Sequence, residues 1–387
     1  MLVEIPDPRF TMIDVRAFRG LHNVRLEGLS RVNIIVGPNN TGKTSVLEAI
    51  EACCHPINAD AWLDMIRRRG SRQPLGEQFA GLFPMSTNDK ENDMAPKDLC
   101  ILYERLGEPS AWKVFGQLWR INRLISDDMD PDNSDVDNSL ASPTRLVTRA
   151  SLQIVPTTTE VVESAPPGAR FFDDIGVNFE KRTDFELRTG GRIPKAAHSE
   201  DVTTVSISPI AHRSEVFQIM LMAYDAPAFR HDVIELLKEF DPGVAEIEVY
   251  DPEGTRSYLR VWHKRTGYMP IAAFGDGFRR VLTYALAVIK CRNGGVLLID
   301  EVETAIHYSA LRNVYRWLVK ACAEHRVQLF VTTHSLEAID ALLEATPDEV
   351  DTSFYRLHEQ DGNIQVVRFD EAELRTLREE FGDEVRG

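Results

Sequence analysis

Residues 37 to 45 read GPNNTGKTS and fit the pattern G-x-x-x-x-G-K-[ST], an arrangement suited to holding phosphate. Successive backbone N–H groups surround a β-phosphate, a lysine reaches the β/γ oxygens, and the next hydroxyl ligates Mg²⁺. Those roles fall on Gly37, Asn39, Asn40, Thr41, Gly42, Lys43, Thr44 and Ser45, with Lys43 on the phosphate oxygens and Thr44 on the metal. An apolar run (Val32, Ile34, Ile35, Val36) precedes the loop, and a helical pattern (Val46, Leu47, Ala49, Ile50) follows it. Strand, glycine-rich loop and helix is the context this chemistry needs, because the opening helix turns a favourable dipole toward an anion.

Two further strand ends carry reactive side chains. Gly294-Gly295 opens the unbroken apolar run Val296 to Ile299, which ends in Asp300-Glu301. Such a run implies burial on both faces, as in a parallel sheet, and α/β folds place ligands beyond the carboxyl ends of their strands. Asp300 is then the Mg²⁺ ligand facing Thr44, and Glu301 the group that polarises attacking water. A third buried strand, Val327 to Thr332, ends in Thr333-His334-Ser335 and brings an imidazole within reach of a γ-phosphate or the water. Between these elements, Gly275-Asp276-Gly277 leads into a helix with apolar residues at Phe278, Val281, Leu282, Ala285, Leu286 and Ile289. Glycines at a helix start admit an anion closely, although GDG taken alone reads equally well as a tight turn.

The elements that must position these groups occupy 387 residues, enough for one large core or two to three smaller ones. No apolar run reaches about 18 residues and no basic-then-apolar leader opens the chain, so a cytoplasmic protein without membrane contact is expected. A net charge of −16 argues against a surface that binds nucleic acid everywhere. The run Arg67, Arg68, Arg69 and Arg72 allows a local basic patch, but a solvated face explains it as well. Cys53, Cys54, Cys100, Cys291 and Cys322 lack metal-ligand spacing and read as buried free thiols.

Residues 10 to 36 alternate as two short strands feeding the buried strand before the loop, and the helix after it is stopped near Cys54 by His55-Pro56. The patterns at 60–68 and 111–124 fit helix and strand equally. Residues 126–139 are acidic, contain proline and lack the glycine and terminal glutamate of a calcium loop, which predicts a mobile loop. Alternations at 145–155 and 203–207 predict strands of an inserted subdomain. Ser214 is placed to cap a helix containing Val216, Phe217, Met220 and Leu221, and a second helix is expected over about 227–239. Strands Ile247 to Tyr250 and Tyr258 to Trp262 form a hairpin around Asp251-Pro252-Glu253-Gly254. The expected division is 1–54 and 206–387 for a nucleotide-binding head and 55–205 for an inserted α+β subdomain.

The order of GPNNTGKTS, FGDGFRR, VLLIDEVE and FVTTHS resembles the ATPase head of the ABC superfamily, in the branch holding SMC-type proteins and the OLD (overcoming lysogenization defect) ATPases. The stretch FRGLHNVRLEGLSRVNIIVGPNNTGKTSVLEAI resembles that branch closely. The resemblance spans residues 10–54 and about 206–370. It implies an α/β fold of the ABC type, a mixed sheet with flanking helices, with ATP and Mg²⁺ as cofactors. It makes Glu301 the catalytic base, His334 the switch histidine and Glu303 to His307 a dimer-contacting loop. Gly275, Asp276, Gly277 and Arg279 become a signature that completes the nucleotide site of another copy, which implies a homodimer or higher homo-oligomer paired head to tail. Against the usual L-S-G-G-Q, Gly275 replaces the serine and Asp276 the first glycine. A carboxylate near a γ-phosphate is repulsive unless it caps the helix or binds a cation, so Arg279 or Arg280 is expected to supply positive charge. Gln73, Gln78 and Gln117 are all candidates for the Q-loop glutamine.

Nothing sustains the heptads of SMC arms, and only a short charged helix is expected between the last strand, Ile364 to Phe369, and Gly387, so a Toprim nuclease in the same chain is not expected. The chain is similar to stand-alone OLD-like ATPases encoded beside a separate Toprim-type effector in two-gene anti-phage systems such as PARIS. That similarity implies an ATP-gated sensor and scaffold, triggered by a phage protein, that controls an effector nuclease. A DNA-repair or SMC-like clamp is the alternative, with salt-sensitive DNA binding. A non-hydrolysing assembly module is a third class. A small-molecule P-loop kinase fits poorly, since it leaves GDG and His334 without a role.

Overall fold

A computed structural model describes residues 9–70, 73–84, 97–106, 108, 111–124, 144–157, 181–187, 201–214, 217–219, 227–251, 257–345, 350–369 and 373. The acidic stretch 126–139 lies outside these described residues, as do Arg72 and Val216.

The chain opens with the antiparallel hairpin β1 (Phe10–Phe18) and β2 (Leu21–Glu27), in which Val15 faces Val24. Then come β3 (Val32–Val36), the glycine loop and α1 (Lys43–Cys54), which ends at His55 as the following proline requires. The two ambiguous stretches resolve differently. Residues 60–68 fall on α2 (Ala59–Arg67), capped by the Asn58 side chain, which accepts from the Ala61 N–H. Residues 111–124 form a strand instead. After α3 (Leu75–Ala80) come β4 (Lys97–Arg105), β5 (Ala111–Leu124), β6 (Thr144–Thr157) and β7 (Lys181–Leu187).

Next are β8 (Thr204–Ile207), α4 (Pro227–Phe240), β9 (Val244–Tyr250), β10 (Tyr258–His263) and β11 (Gly267–Pro270). Between β8 and α4, the Ser214 hydroxyl accepts from the Phe217 N–H at the start of a helical stretch, the expected capping role. The chain continues through α5 (Asp276–Cys291), β12 (Val296–Ile299), α6 (Tyr308–Glu324) and β13 (Gln328–Thr333). The last of the described elements are α7 (Leu336–Ala345), β14 (Thr352–Gln360) and β15 (Asn363–Phe369).

Three sheets form among the described residues. The central one has the order β15-β14-β3-β13-β12-β8, parallel throughout except for antiparallel β15. The second, β2-β1-β4-β5-β6-β7, is wholly antiparallel. The third, β11-β10-β9, contains the expected hairpin.

The two short strands expected before β3 are present as β1 and β2, and they join β4 to β7, with Ile13 opposite Tyr103, in a sheet separate from that of β3. One expectation is corrected by this topology. The alternation at 203–207 does not belong with the inserted strands, since β8 is the edge of the parallel sheet, beside β12.

The unbroken apolar runs have the predicted cause. On β3, Val32, Ile34 and Val36 enter the core shared with α4 to α7, while Ile35 enters the core that α1 shares with the antiparallel sheet. Leu297 and Ile299 on β12 likewise face the first core, and Val296 and Leu298 the second. α1 therefore lies between two sheets.

Arg68 and Arg69 are not a solvated basic patch. Arg68 pairs with Glu51, and Arg69 Nε lies 2.8 Å from Glu48 Oε1, tying the end of α2 to α1. The cysteines are free, all of them buried except the partly buried Cys100, and burial pushes the Cys54 thiol up to about 12. Among the described residues, no helix is long and apolar enough to cross a membrane.

Candidate functional site

The parallel register puts three chemistry-bearing strand ends side by side. Val36 lies opposite Thr333, and Ile299 opposite Val331, so the segments after β3, β12 and β13 leave the same edge of the sheet. The glycine loop leaves β3 here through backbone that a side chain resists. Gly37 has φ 150, and a Cβ there would stand 2.4 Å from the Leu357 carbonyl oxygen. Gly42, which caps α1, has φ 84, and its Cβ would meet Leu21 Cδ2 at 2.6 Å. Asn40 also takes a positive φ of 68, which asparagine tolerates better than most residues.

Lys43 curls back over this loop. Its Nζ donates to the Gly37 carbonyl at 2.8 Å and the Pro38 carbonyl at 2.7 Å. Burial lowers its pKa, and Asp300, Glu301 and Glu303 oppose that shift. Thr41 Oγ1 also donates to Pro38 O, at 2.9 Å. Ser45, one residue past the metal candidate, accepts from Arg69 Nη2 at 3.3 Å.

Thr44 Oγ1 donates to Asp300 Oδ2 at 2.8 Å, so the hydroxyl and the carboxylate assigned to one metal meet directly. A hydroxyl and a carboxylate are hard oxygen donors, and that donor set suits Mg²⁺. Thr332 completes the clamp. Its hydroxyl donates to Asp300 Oδ1 at 2.5 Å and accepts from the Glu301 N–H at 2.9 Å. Glu301 itself has φ 47, a turn that swings its side chain away from the strand direction, and its Oε2 accepts from Thr304 Oγ1 at 3.3 Å.

His334 is brought to the same edge with its side chain 43% exposed. Its Nδ1 lies 3.3 Å from Glu303 Oε1, and its backbone N–H donates to that oxygen at 3.4 Å. The switch-histidine candidate is therefore oriented by Glu303, in the loop after β12.

Gly275 to Gly277 open α5, with Gly275 as N-cap and no side-chain cap. A Cβ on Gly277 would lie 3.5 Å from Ala305 O, so the helix start adjoins the loop after β12. Asp276 neither caps this helix nor belongs to a metal-holding cluster among the described residues. Its carboxylate is held instead by Arg213 Nη2 at 3.1 Å and Arg279 Nη1 at 3.6 Å.

Arg280 does not supply the expected positive charge to an anion. It is wholly buried and donates to four carbonyls: Ser208 at 2.7 Å, Pro209 at 3.3 Å, and Asp300 and Glu301 at 3.2 Å each. Of the Q-loop candidates, Gln78 Nε2 donates to Gln73 O, and Gln117 Nε2 donates to Asp98 Oδ1 on the antiparallel sheet.

Sequence reasoning passed over Thr332, Arg213 and His212. Thr332 carried a usable signal, since it lies two residues before His334 near a strand end. The other two follow β8, and only the pairing of β8 with β12 reveals that their loop opens on this edge.

The family model described as "AAA domain, putative AbiEii toxin, Type IV TA system" matches residues 119–340, and a second model, "AAA domain", matches residues 10–58. An ATP/GTP phosphatase of Helicobacter pylori is 20% identical over 341 residues, covering 85% of this chain and 86% of its own length. The DNA replication and repair protein RecF of Pseudomonas aeruginosa is 28% identical over 276 residues, covering 68% of this chain and 63% of its own. Among solved structures, the SMC head domain from Thermotoga maritima aligns with TM-score 0.45 and 14% identity, over 94% of this chain and 99% of its own. A lysine-bearing glycine loop, a threonine hydroxyl on a strand-end aspartate and a model match over more than half the length lead to one assignment: the chain belongs to that AAA-domain family, as an ATPase of mixed α/β P-loop fold.

Proposed function

We propose that the chain hydrolyses ATP with Mg²⁺ at this sheet edge, between two copies paired head to tail. The supporting observation is the 2.8 Å contact of Thr44 with Asp300, which brings together the two protein oxygens that an ATP-bound Mg²⁺ takes in P-loop enzymes. Lys43 leaves the Gly37 and Pro38 carbonyls for the β/γ oxygens, a charge-assisted exchange. Glu301 orients the attacking water, and His334, held by Glu303, faces the terminal phosphate. Bound Mg²⁺ supplies charge neutralisation at the β- and γ-oxygens. α5 offers its start, Gly275 to Gly277, to the nucleotide of the other copy. Hydrolysis then resets the pairing, because the γ-phosphate is shared across the interface.

The wider role proposed is a sensor and scaffold of the OLD-like kind, controlling a separately encoded effector nuclease in anti-phage defence. The motif resemblance and the net charge of −16, unfavourable for a general DNA-coating surface, support it. A DNA-repair clamp is the second reading, favoured by the similarity to RecF. Purification from native cells with and without ATP, followed by identification of what accompanies the chain, separates them. An ATP-dependent nuclease partner supports the first, and ATP-dependent DNA retention with a steep inverse salt dependence supports the second. Equal phosphate release by the wild type and Lys43→Ala would remove hydrolysis at this site from both.

A further inference from the structure

The start of α5 holds one carboxylate among cations from two elements. Asp276 Oδ2 lies 3.1 Å from Arg213 Nη2 and 3.7 Å from His212 Nε2, and Oδ1 lies 3.6 Å from Arg279 Nη1. Two guanidinium charges against one carboxylate leave the helix start net positive. The first N–H groups of α5, which no side chain caps, add to that potential. The space in front is open, since nothing lies within 4 Å of a Cβ built on Gly275.

A second observation points to a ligand here. His212 is only 1% exposed, faces Asp276, and has no hydrogen-bond partner on either ring nitrogen. Arg213 beside it is the opposite case, with a side chain 64% exposed and Nη2 donating to Asp276 Oδ2. The turn that carries both cannot drift from α5, because Arg280 on that helix donates to the Ser208 and Pro209 carbonyls.

We propose that Arg213 binds the terminal phosphate of a nucleotide held by the glycine loop of a second copy, and that Asp276 occupies Arg213 until that phosphate arrives. The assignment rests on the head-to-tail pairing proposed above. A terminal phosphate carries more charge than a carboxylate and accepts a guanidinium through two parallel bonds, so it outcompetes Asp276. A nucleoside diphosphate lacks that group, and Arg213 then returns to Asp276. Arg279 remains with Asp276 in both states, so the carboxylate is never left without a cation. Aspartate in place of the usual glycine thus sets the nucleotide level at which two copies join.

The two halves of the ion pair then give opposite effects, which a merely structural pair does not. The test uses the full chain carrying Glu301→Gln, with self-association followed by light scattering against ATP concentration in the presence of Mg²⁺. Arg213→Ala raises the ATP needed for half-association about ten-fold or more, and Arg213→Lys recovers part of the loss. Asp276→Asn lowers it several-fold. Nucleotide binding by the dilute single copy stays within about two-fold of the parent in Arg213→Ala, because the contact forms only between copies.

The assignment is overturned if Arg213→Ala associates at the parent's ATP concentration, or if both changes weaken association alike. It is also overturned if Arg213→Ala weakens binding by the single copy, which would put Arg213 in its own chain's site. Should the Glu301→Gln parent not associate with ATP at all, the pairing itself fails and takes this role with it.

Discussion

Thr44 Oγ1 and Asp300 Oδ2 are 2.8 Å apart, although 256 residues separate them in the chain. The bond closes the edge of the parallel sheet, joining the first turn of α1 to the end of β12. Because Thr332 fixes the other oxygen of Asp300 at 2.5 Å, the carboxylate cannot rotate away when the hydroxyl is lost.

Asp300→Asn and Thr44→Val should therefore keep the fold and lose the chemistry. Losing this exposed hydrogen bond costs stability only ~1 kcal/mol. Turnover should fall about 100-fold or more, the scale of several kcal/mol of charge stabilisation. Phosphate release with and without EDTA checks this: the chelator should abolish the wild-type rate and change the variants' residual rate little.

Gly37→Ala and Gly275→Ala should behave differently in urea unfolding. A Cβ at Gly37 would meet backbone, Leu357 O at 2.4 Å, at a φ of 150. Strain of that kind costs ~2–3 kcal/mol. Gly275 has open space and a φ of −62, so its replacement should alter stability by less than ~0.5 kcal/mol.

Arg280→Leu should be the most damaging single change among these. It strips the donor from four carbonyls, those of Ser208, Pro209, Asp300 and Glu301, and leaves Tyr284 without its guanidinium partner. Breaking a buried charged network by removing one partner costs ~3–5 kcal/mol. Thermal unfolding should show that loss, with partial recovery in Arg280→Lys.

Acid should act through His212. Burial, then Arg280, lowers its pKa from 6.5, with Arg213 and Arg279 acting the same way and Asp276 opposing them. The folded chain thus resists a proton that the unfolded chain accepts, and stability falls as pH drops below 6.5 toward the folded value. The slope from this one group is at most ~1.4 kcal/mol per pH unit. His212→Asn should flatten the dependence of unfolding free energy on pH just below 6.5, measured against the wild type in urea.

The parts of the site legible in the sequence were those with a local cause. The glycine loop needs its spacing within nine consecutive residues, and an apolar run such as Val296 to Ile299 is buried on both faces wherever it sits in a parallel sheet. Strand partners have no such local signature. β8 looks like any short alternation, and only its register with β12, Leu297 opposite Val205, makes the loop carrying His212 and Arg213 part of the site. Residues 111–124 were ambiguous for a related reason. Only the long pairing with β6, from Ala111 opposite Thr157 to Leu124 opposite Thr144, selects the strand.

β1 lies between β2 on one side and β4 on the other. The stretch containing β4 is therefore no detachable appendage. Excising it would bare a row of main-chain donors and acceptors along β1, above the apolar side chains of Ile13 and Val15, an invitation to aggregation. Shortened versions of this protein can be expected to survive only when the cut falls outward of β4, where the sheet still ends on a strand that shields the first.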